Sequence, residues 1–93
     1  MNKYFIECMG VITIVYAFLL TDKNPAIMGM IYFAMFTIAE QNSGFNPMTT
    51  TASYLIGRLP FEETLYYLGA QLVGMVAVSI SFLPIKTYID IAS

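Results

Sequence analysis

Three long apolar runs, each close to the length that crosses a lipid bilayer, constrain this chain more than any other feature. They cover about residues 4–20, 26–40 and 61–83. Because a helix of ~20 residues crosses the ~30 Å hydrocarbon core, each run predicts one membrane span. Hydrophobic residues make up 58% of the chain and charged residues 11%, and the mean hydropathy is +0.70. Soluble domains carry about 25% charged residues. We therefore expect an integral, multi-pass, all-α membrane protein, with residues 1–93 in a single domain.

The ends of the runs carry helix signals. A polar turn follows the first run, and Pro25 suits the first position of the second helix. The second run is short, so it has to include Pro25 and Glu40, or thin the bilayer, in order to cross. Two acidic residues open the third run, as the helix dipole favours. Pro84 predicts that this third helix ends near Phe82.

Charge and reactive residues exclude several classes of function. The net charge of −2 gives no reason to expect a nucleic-acid partner. The chain has no histidine, and its single cysteine, Cys8, excludes an intrachain disulfide. No nucleophile–base pair, metal-ligand spacing or phosphate loop is visible, so we expect no enzyme, no cofactor and no metal. The first run lacks a small-residue cleavage site, and we expect it to be retained as a span.

Basic residues are divided evenly between the two sides of the membrane. Three crossings leave the termini on opposite faces, so Lys3 and Arg58 lie on one face while Lys23 and Lys86 lie on the other. The positive-inside rule then gives almost no preference for either orientation. A chain that inserts both ways round has this pattern.

The polar segment between the second and third runs contains an Asn-Pro helix start. Asn46 is a good N-cap, Pro47 a favoured first residue and Gly57 a suitable stop. This helix would extend about 16 Å, half of the hydrocarbon core. Two interpretations are open: an amphipathic helix on the membrane surface, or a re-entrant loop and half-helix over about residues 41–57. Irregular backbone at mid-membrane must be buried in protein or line a watery cavity. The helix N-terminus would then bring partial positive charge to the bilayer centre, which suits a pore for neutral dipoles.

Three motifs resemble those of the aquaporin and glycerol-facilitator family, in the order of that family. FIECMGVITIVY resembles the Glu-x-x-Gly-Thr pattern of its first helix, and SGFNPMTTTASYL resembles its Asn-Pro-Ala loop, often written SGAHxNPAVT. YYLGAQLVGMVA resembles its Tyr-x-x-Ala-Gln-x-x-Gly-Ala helix. Together the motifs cover nearly the whole chain. Asn24-Pro25-Ala26 also spells the loop motif, but it lies between the first two runs and we interpret it as a turn.

The resemblance implies one unit of a fold that normally contains two inverted units. Each unit has three spanning helices and one re-entrant half-helix, and a single unit leaves its half-helix facing nothing. The implied function is a passive channel for water or small uncharged solutes, formed by an antiparallel homodimer in which both Asn46 caps meet. A larger tetramer-like assembly, or pairing with a second half-channel chain, is also compatible with the sequence. The alternatives are a small dual-topology transporter with Glu7 as its coupling carboxylate, and a non-conducting or truncated subunit of another channel.

The resemblance assigns roles to the loop residues. Asn46 would cap the half-helix and point its amide donor at a passing solute; a cap alone is the simpler interpretation. Carbonyl groups of the extended segment before it would line the pore. The expected pore-lining set is Asn42, Ser43, Gly44, Phe45, Asn46, Met48 and Thr49. Met48 replaces the alanine of the motif and adds apolar bulk, while Thr49 stands where the family's second loop has an arginine.

Other residues are expected to support the loop. The resemblance implies that Glu7 is buried and accepts hydrogen bonds from the loop backbone, whereas its position alone also fits a carboxylate at the membrane interface. Gln71 would brace the loop in a similar way, together with Pro47. Gly10, Ala70 and Gly74 are expected to permit close helix packing; Ala70 and Gly74 are spaced for one small face. Without arginine and histidine in the filter, cation exclusion would rest on the half-helix dipoles.

Overall fold

The computed structural model describes residues 2–92, which contain the helices α1 (Lys3–Thr21), α2 (Pro25–Ile38), α3 (Pro47–Leu55) and α4 (Phe61–Ala92). No strand occurs within residues 2–92, so the all-helical prediction is confirmed for that range. By length and composition, α1 and α4 are apolar enough to cross a membrane. The apolar helix α2 is shorter, at 14 residues.

Asparagine side chains start three of the helices. The Oδ1 atoms of Asn2, Asn24 and Asn46 accept hydrogen bonds from backbone amides in the first turns of α1, α2 and α3. These bonds satisfy donors that have no partner within the helix. Pro25 and Pro47 lie in the first turns of α2 and α3, where a missing N–H costs nothing. The Asn24-Pro25 pair therefore starts a helix after a turn, in agreement with its interpretation from the sequence.

Pro84 lies inside α4, so the predicted end of this helix near Phe82 is wrong and the helix continues to Ala92. A proline removes one helical hydrogen bond and crowds the preceding turn. That loss does not end α4: the turns on both sides of Pro84 remain helical, and the last turns carry an ion pair between Lys86 and Asp90 at 3.2 Å. With 32 residues, α4 extends for about 48 Å, well beyond the ~30 Å hydrocarbon core.

The second helix is shorter than the predicted run of residues 26–40. It begins at Pro25 but ends at Ile38, and Ala39 is already extended, with φ −84° and ψ 158°. Glu40 therefore lies outside the helix. The 14 residues of α2 measure about 21 Å, less than the hydrocarbon core. None of its residues is buried, and Phe33 is 77% exposed.

Helices α1 and α4 pack side by side and run in the same direction. The Lys3 ammonium lies 2.7 Å from the Glu63 carboxylate at one end of the pair, and the hydroxyls of Tyr16 and Ser81 are hydrogen-bonded at the other. A Cβ atom on Gly74 would lie only 2.9 Å from the Cys8 carbonyl oxygen, so the glycine permits this close contact. The buried residues of α4 recur every three or four positions, as a helix face requires: Thr64, Tyr67, Gln71, Gly74 and Val78.

Helix α3 packs against α4 and runs in the opposite direction. Thr50, in the first half of α3, is hydrogen-bonded to Gln71, whereas the ring of Tyr54 lies 5.6 Å from that of Phe61 at the start of α4. The regular helix ends at Leu55, slightly earlier than the predicted stop. Two residues later Gly57 has φ +83°, a conformation that favours glycine.

Candidate functional site

A fully buried carboxylate on α1 holds the polar segment that precedes α3. The Oε1 atom of Glu7 accepts hydrogen bonds from the backbone N–H of Phe45 at 2.9 Å and from Nε2 of Gln71 at 2.8 Å. Its Oε2 atom accepts a hydrogen bond from the Ser43 hydroxyl. A buried carboxylate is costly unless its oxygens are hydrogen-bonded. Glu7 is therefore paired for structure, inside the protein rather than at an interface with water.

Thr50 extends these contacts to the half-helix. Nε2 of Gln71 also donates to Oγ1 of Thr50 at 2.7 Å, and both side chains are buried. We call Glu7, Ser43, the Phe45 amide, Thr50 and Gln71 the Glu7 network. It joins α1, the polar segment, α3 and α4 through side chains from each, and polar contacts that are mostly buried fix one arrangement of their elements.

Sequence reasoning did not single out Thr50. It is the middle threonine of three in succession, so its residue type gave no distinction from Thr49. Its position one helical turn after Asn46 is the signal that could have found it. Residues four apart lie on the same helix face, and the face below the cap is the one that packs on α4.

Phe45 turns its side chain into the protein core. It has φ +56°, in the left-handed region that is uncommon for a residue with a large side chain. Its ring is 5% exposed and packs with Val11 and Ile14. A Cβ atom on Gly10 would clash with this ring, so Gly10 provides space for the loop rather than for another helix.

The first turn of α3 folds back on Gly44. The Thr49 hydroxyl donates to the Asn46 carbonyl oxygen at 2.9 Å, so it is engaged within its own helix start. A Cβ atom on Gly44 would overlap this threonine side chain. Nearby, Nδ2 of Asn42 donates to the carbonyl oxygen of Arg58 at 3.3 Å and ties the start of the polar segment to the residues after α3.

Asn46 retains a free donor after it has capped α3. Its Oδ1 atom accepts from the backbone N–H of Met48 at 2.7 Å. Its Nδ2 atom has no hydrogen-bond partner within the described residues. The side chain is partly exposed. Asn46 therefore caps α3 through its Oδ1 atom and leaves its Nδ2 donor available to a ligand.

A cleft of about 250 Å³ lies beside Asn46, and we call it the Asn46 cavity. Its walls come from α1, α2, α4 and the start of α3, and they are mostly apolar. The lining residues are Val11, Ile14, Val15, Phe18, Met28, Tyr32, Phe45, Asn46, Pro47, Gln71 and Met75. An apolar cleft with a few polar groups is the usual form of a site for small molecules.

Only part of the predicted pore-lining set borders this cavity. Phe45 and Asn46 do, together with Pro47 and Gln71, which were expected to act as supports. The remaining members lie outside it: Asn42, Ser43, Gly44, Met48 and Thr49. Met48 is 76% exposed on the outer side of α3. Ala70 is half-buried beside Gln71, and Gly74 lies at the contact of α4 with α1.

Within residues 2–92, no group of three or more acidic, cysteine or histidine side chains is close enough to hold a metal ion. The buried polar groups instead form hydrogen bonds with one another.

No protein-family model, curated protein or solved structure matches this chain.

Proposed function

We propose that the chain forms half of a passive membrane channel for water or small uncharged solutes, and that two antiparallel copies complete the pore. The Glu7 network is the observation that carries this proposal. It fixes an irregular polar segment against two apolar helices, with the Glu7 carboxylate fully buried. Irregular backbone within a membrane requires support of this kind, because lipid offers it no hydrogen bonds.

Contacts along α4 support a position near mid-membrane for the start of α3. The end of α3 lies beside Phe61, the first residue of α4, through Tyr54. The first half of α3 lies beside Gln71. Gln71 is about 15 Å along α4 from Phe61, which is half of the ~30 Å hydrocarbon core. With Phe61 at one membrane surface, α3 begins near the bilayer centre. This favours a re-entrant half-helix among three spans, α1, α2 and α4.

The electrostatics of the α3 start favour neutral solutes. Unpaired N–H groups give a helix N-terminus a partial positive charge, which repels cations and attracts the oxygen of a dipole. The free Nδ2 donor of Asn46 lies in the same place and borders the Asn46 cavity. No arginine or histidine borders that cavity, so the half-helix supplies the cation barrier.

Exposed apolar surface supports completion by a second copy. Met48, Leu55 and Phe33 are 76%, 73% and 77% exposed, and the Asn46 cavity is partly open. A two-fold axis in the membrane plane would bring two half-helices together and close the cavity. The even division of basic residues permits both orientations. Dimers could associate further into a tetramer-like assembly, and a second half-channel chain could replace one copy.

The position of Glu7 speaks against the transporter alternative. A coupling carboxylate must exchange protons or ions with a solution or a solute pathway. Glu7 is fully buried, does not border the Asn46 cavity and is held by three donors. A non-conducting subunit remains as the competing hypothesis, and flux measurements distinguish it.

Stopped-flow shrinkage of proteoliposomes tests the proposal. We expect the wild-type protein to accelerate shrinkage with no proton gradient. The Asn46→Asp variant keeps the cap but replaces the Nδ2 donor with a negative charge, so flux should fall about tenfold, as for one lost hydrogen bond of ~1.4 kcal/mol. Asn24→Asp, at the matched Asn-Pro start of α2, should conduct normally.

Two other results of the shrinkage assay would favour the competing hypotheses. Shrinkage equal to that of protein-free liposomes, with normal insertion of the chain, supports a non-conducting subunit. Flux that requires a proton gradient and disappears in Glu7→Gln supports the transporter.

A further inference from the structure

Gln71 has one polar atom without a partner. Its Nε2 atom donates to Glu7 and to Thr50, but its buried Oε1 atom accepts no hydrogen bond. Among residues 2–92, Oε1 of Gln71 is the one buried side-chain nitrogen or oxygen that has no hydrogen-bond partner. Because an unpaired buried acceptor is costly, its presence in a native fold requires an explanation.

Rotation of the amide does not solve the problem. A half-turn about its terminal bond would place Oε1 of Gln71 against an oxygen of Glu7, 2.8 Å from the present nitrogen position. Both oxygens of Glu7 already accept hydrogen bonds, from the Phe45 amide and the Ser43 hydroxyl. The accepting oxygens of Glu7 therefore keep Nε2 facing them, and Oε1 has to find a donor elsewhere.

The protein supplies no such donor, although Gln71 borders the Asn46 cavity. Two other lining residues carry side-chain donors, Asn46 and Tyr32, and neither is hydrogen-bonded to Oε1. The other residues that border the cavity have apolar side chains. Gln71, which carries the unsatisfied acceptor, therefore lines the same cavity as Asn46, which carries the free donor.

We propose that Oε1 of Gln71 accepts a hydrogen bond from the O–H group of a small solute in the Asn46 cavity. Gln71 is then a specificity-determining residue as well as part of the Glu7 network, an assignment that rests on the channel proposed above. A solute that both donates and accepts, such as water or a small alcohol, satisfies Gln71 and Asn46 together. A solute that only accepts, such as acetone, leaves Oε1 unpaired.

Infrared spectroscopy of the Gln71 carbonyl tests this inference directly. Gln41 is the other glutamine of the chain, so Gln41→Asn allows glutamine labelled with ¹³C at its side-chain carbonyl to report on Gln71 alone. Protein in lipid films is measured dry and then under water, methanol or acetone vapour. We expect the labelled carbonyl stretch to move to lower wavenumber with water and methanol, because a hydrogen bond weakens the C=O bond, and not to move with acetone. A shift with water alone assigns the site to water.

A pair of Val→Phe variants separates binding in the cavity from general hydration. Val15→Phe fills the cavity and should abolish the shift, while Val73→Phe, on the exposed face of α4, should retain it. A carbonyl frequency that does not change, or the same shift in Val15→Phe, overturns the inference. Liposome flux is measured separately: a shift without flux keeps the Gln71 site and rejects the channel, whereas flux without a shift rejects the site alone.

Discussion

The backbone N–H of Phe45 donates a 2.9 Å hydrogen bond to Oε1 of Glu7, which is fully buried on α1. This bond holds the last turn of the polar segment at the point where α3 begins. It also explains how Phe45 keeps a left-handed φ of +56°, since its ring is packed against Gly10 at the same time. The direction of α3, and with it the position of the Asn46 donor, depends on this pair.

Replacement of the Glu7 carboxyl group by an amide should destabilise the fold. In Glu7→Gln the new amide N–H₂ faces donors from Phe45, Ser43 or Gln71, so at least one buried donor loses its acceptor. We expect the free energy of unfolding to fall by about 1–3 kcal/mol, measured by denaturation in mixed detergent micelles. Glu63→Gln is the matched control, because its partly exposed pair with Lys3 should contribute much less than the buried contacts of Glu7. Equal losses in the two variants would contradict a structural role for the Glu7 network.

A methyl group at Gly10 should displace the loop. Gly10→Ala places its Cβ atom into the ring of Phe45, and overpacking of this kind costs about 1–3 kcal/mol. Gly29→Ala, where nothing lies within 4 Å of the added atom, should leave stability and flux intact. The double variant Gly10→Ala/Phe45→Leu should recover part of the lost stability. Wild-type stability and flux in Gly10→Ala would show that the loop does not pack as described.

Bulk at Met48 should obstruct the assembled pore. Met48 is 76% exposed in a single copy, and the proposed dimer brings this residue to the junction of two half-helices. We expect Met48→Trp to lower flux strongly in stopped-flow assays while each chain still folds, because its side chain contacts little within its own copy. Met30→Trp, at an exposed position on α2, is the matched control and should conduct normally. Normal flux in Met48→Trp would place this residue away from the pathway.

Local sequence signals predicted most helix boundaries, whereas the resemblance implied which residues support the loop. In a helix-rich chain, asparagine followed by proline is typical of a helix N-terminus, and both such pairs start helices. Glu7 and Gln71 could be singled out because polar residues in apolar runs are costly unless they are paired. Their partners could not be derived in the same way, since those contacts bring together residues far apart in the chain.

The remaining differences have physical causes that a linear pattern does not contain. Pro84 was expected to end α4, but one missing hydrogen bond is tolerated where the surrounding turns remain helical. Thr50 differs from Thr49 only in the helix face that it occupies. The sequence also contained no sign that the left-handed backbone at Phe45 turns its ring into the core, where Gly10 leaves space.

The central claim, a pore built from two oppositely oriented copies, is tested most directly with variants locked in one orientation. Lys23→Gln/Lys86→Gln leaves basic residues on one face, and Lys3→Gln/Arg58→Gln leaves them on the other, so the positive-inside rule should give each variant a single, opposite orientation. Labelling of the termini verifies each orientation, and osmotic shrinkage of vesicles from cells that express one or both variants measures flux. We predict that each variant alone gives the flux of empty vesicles and that co-expression restores wild-type flux. Wild-type flux from either variant alone, in one verified orientation, would contradict the antiparallel channel.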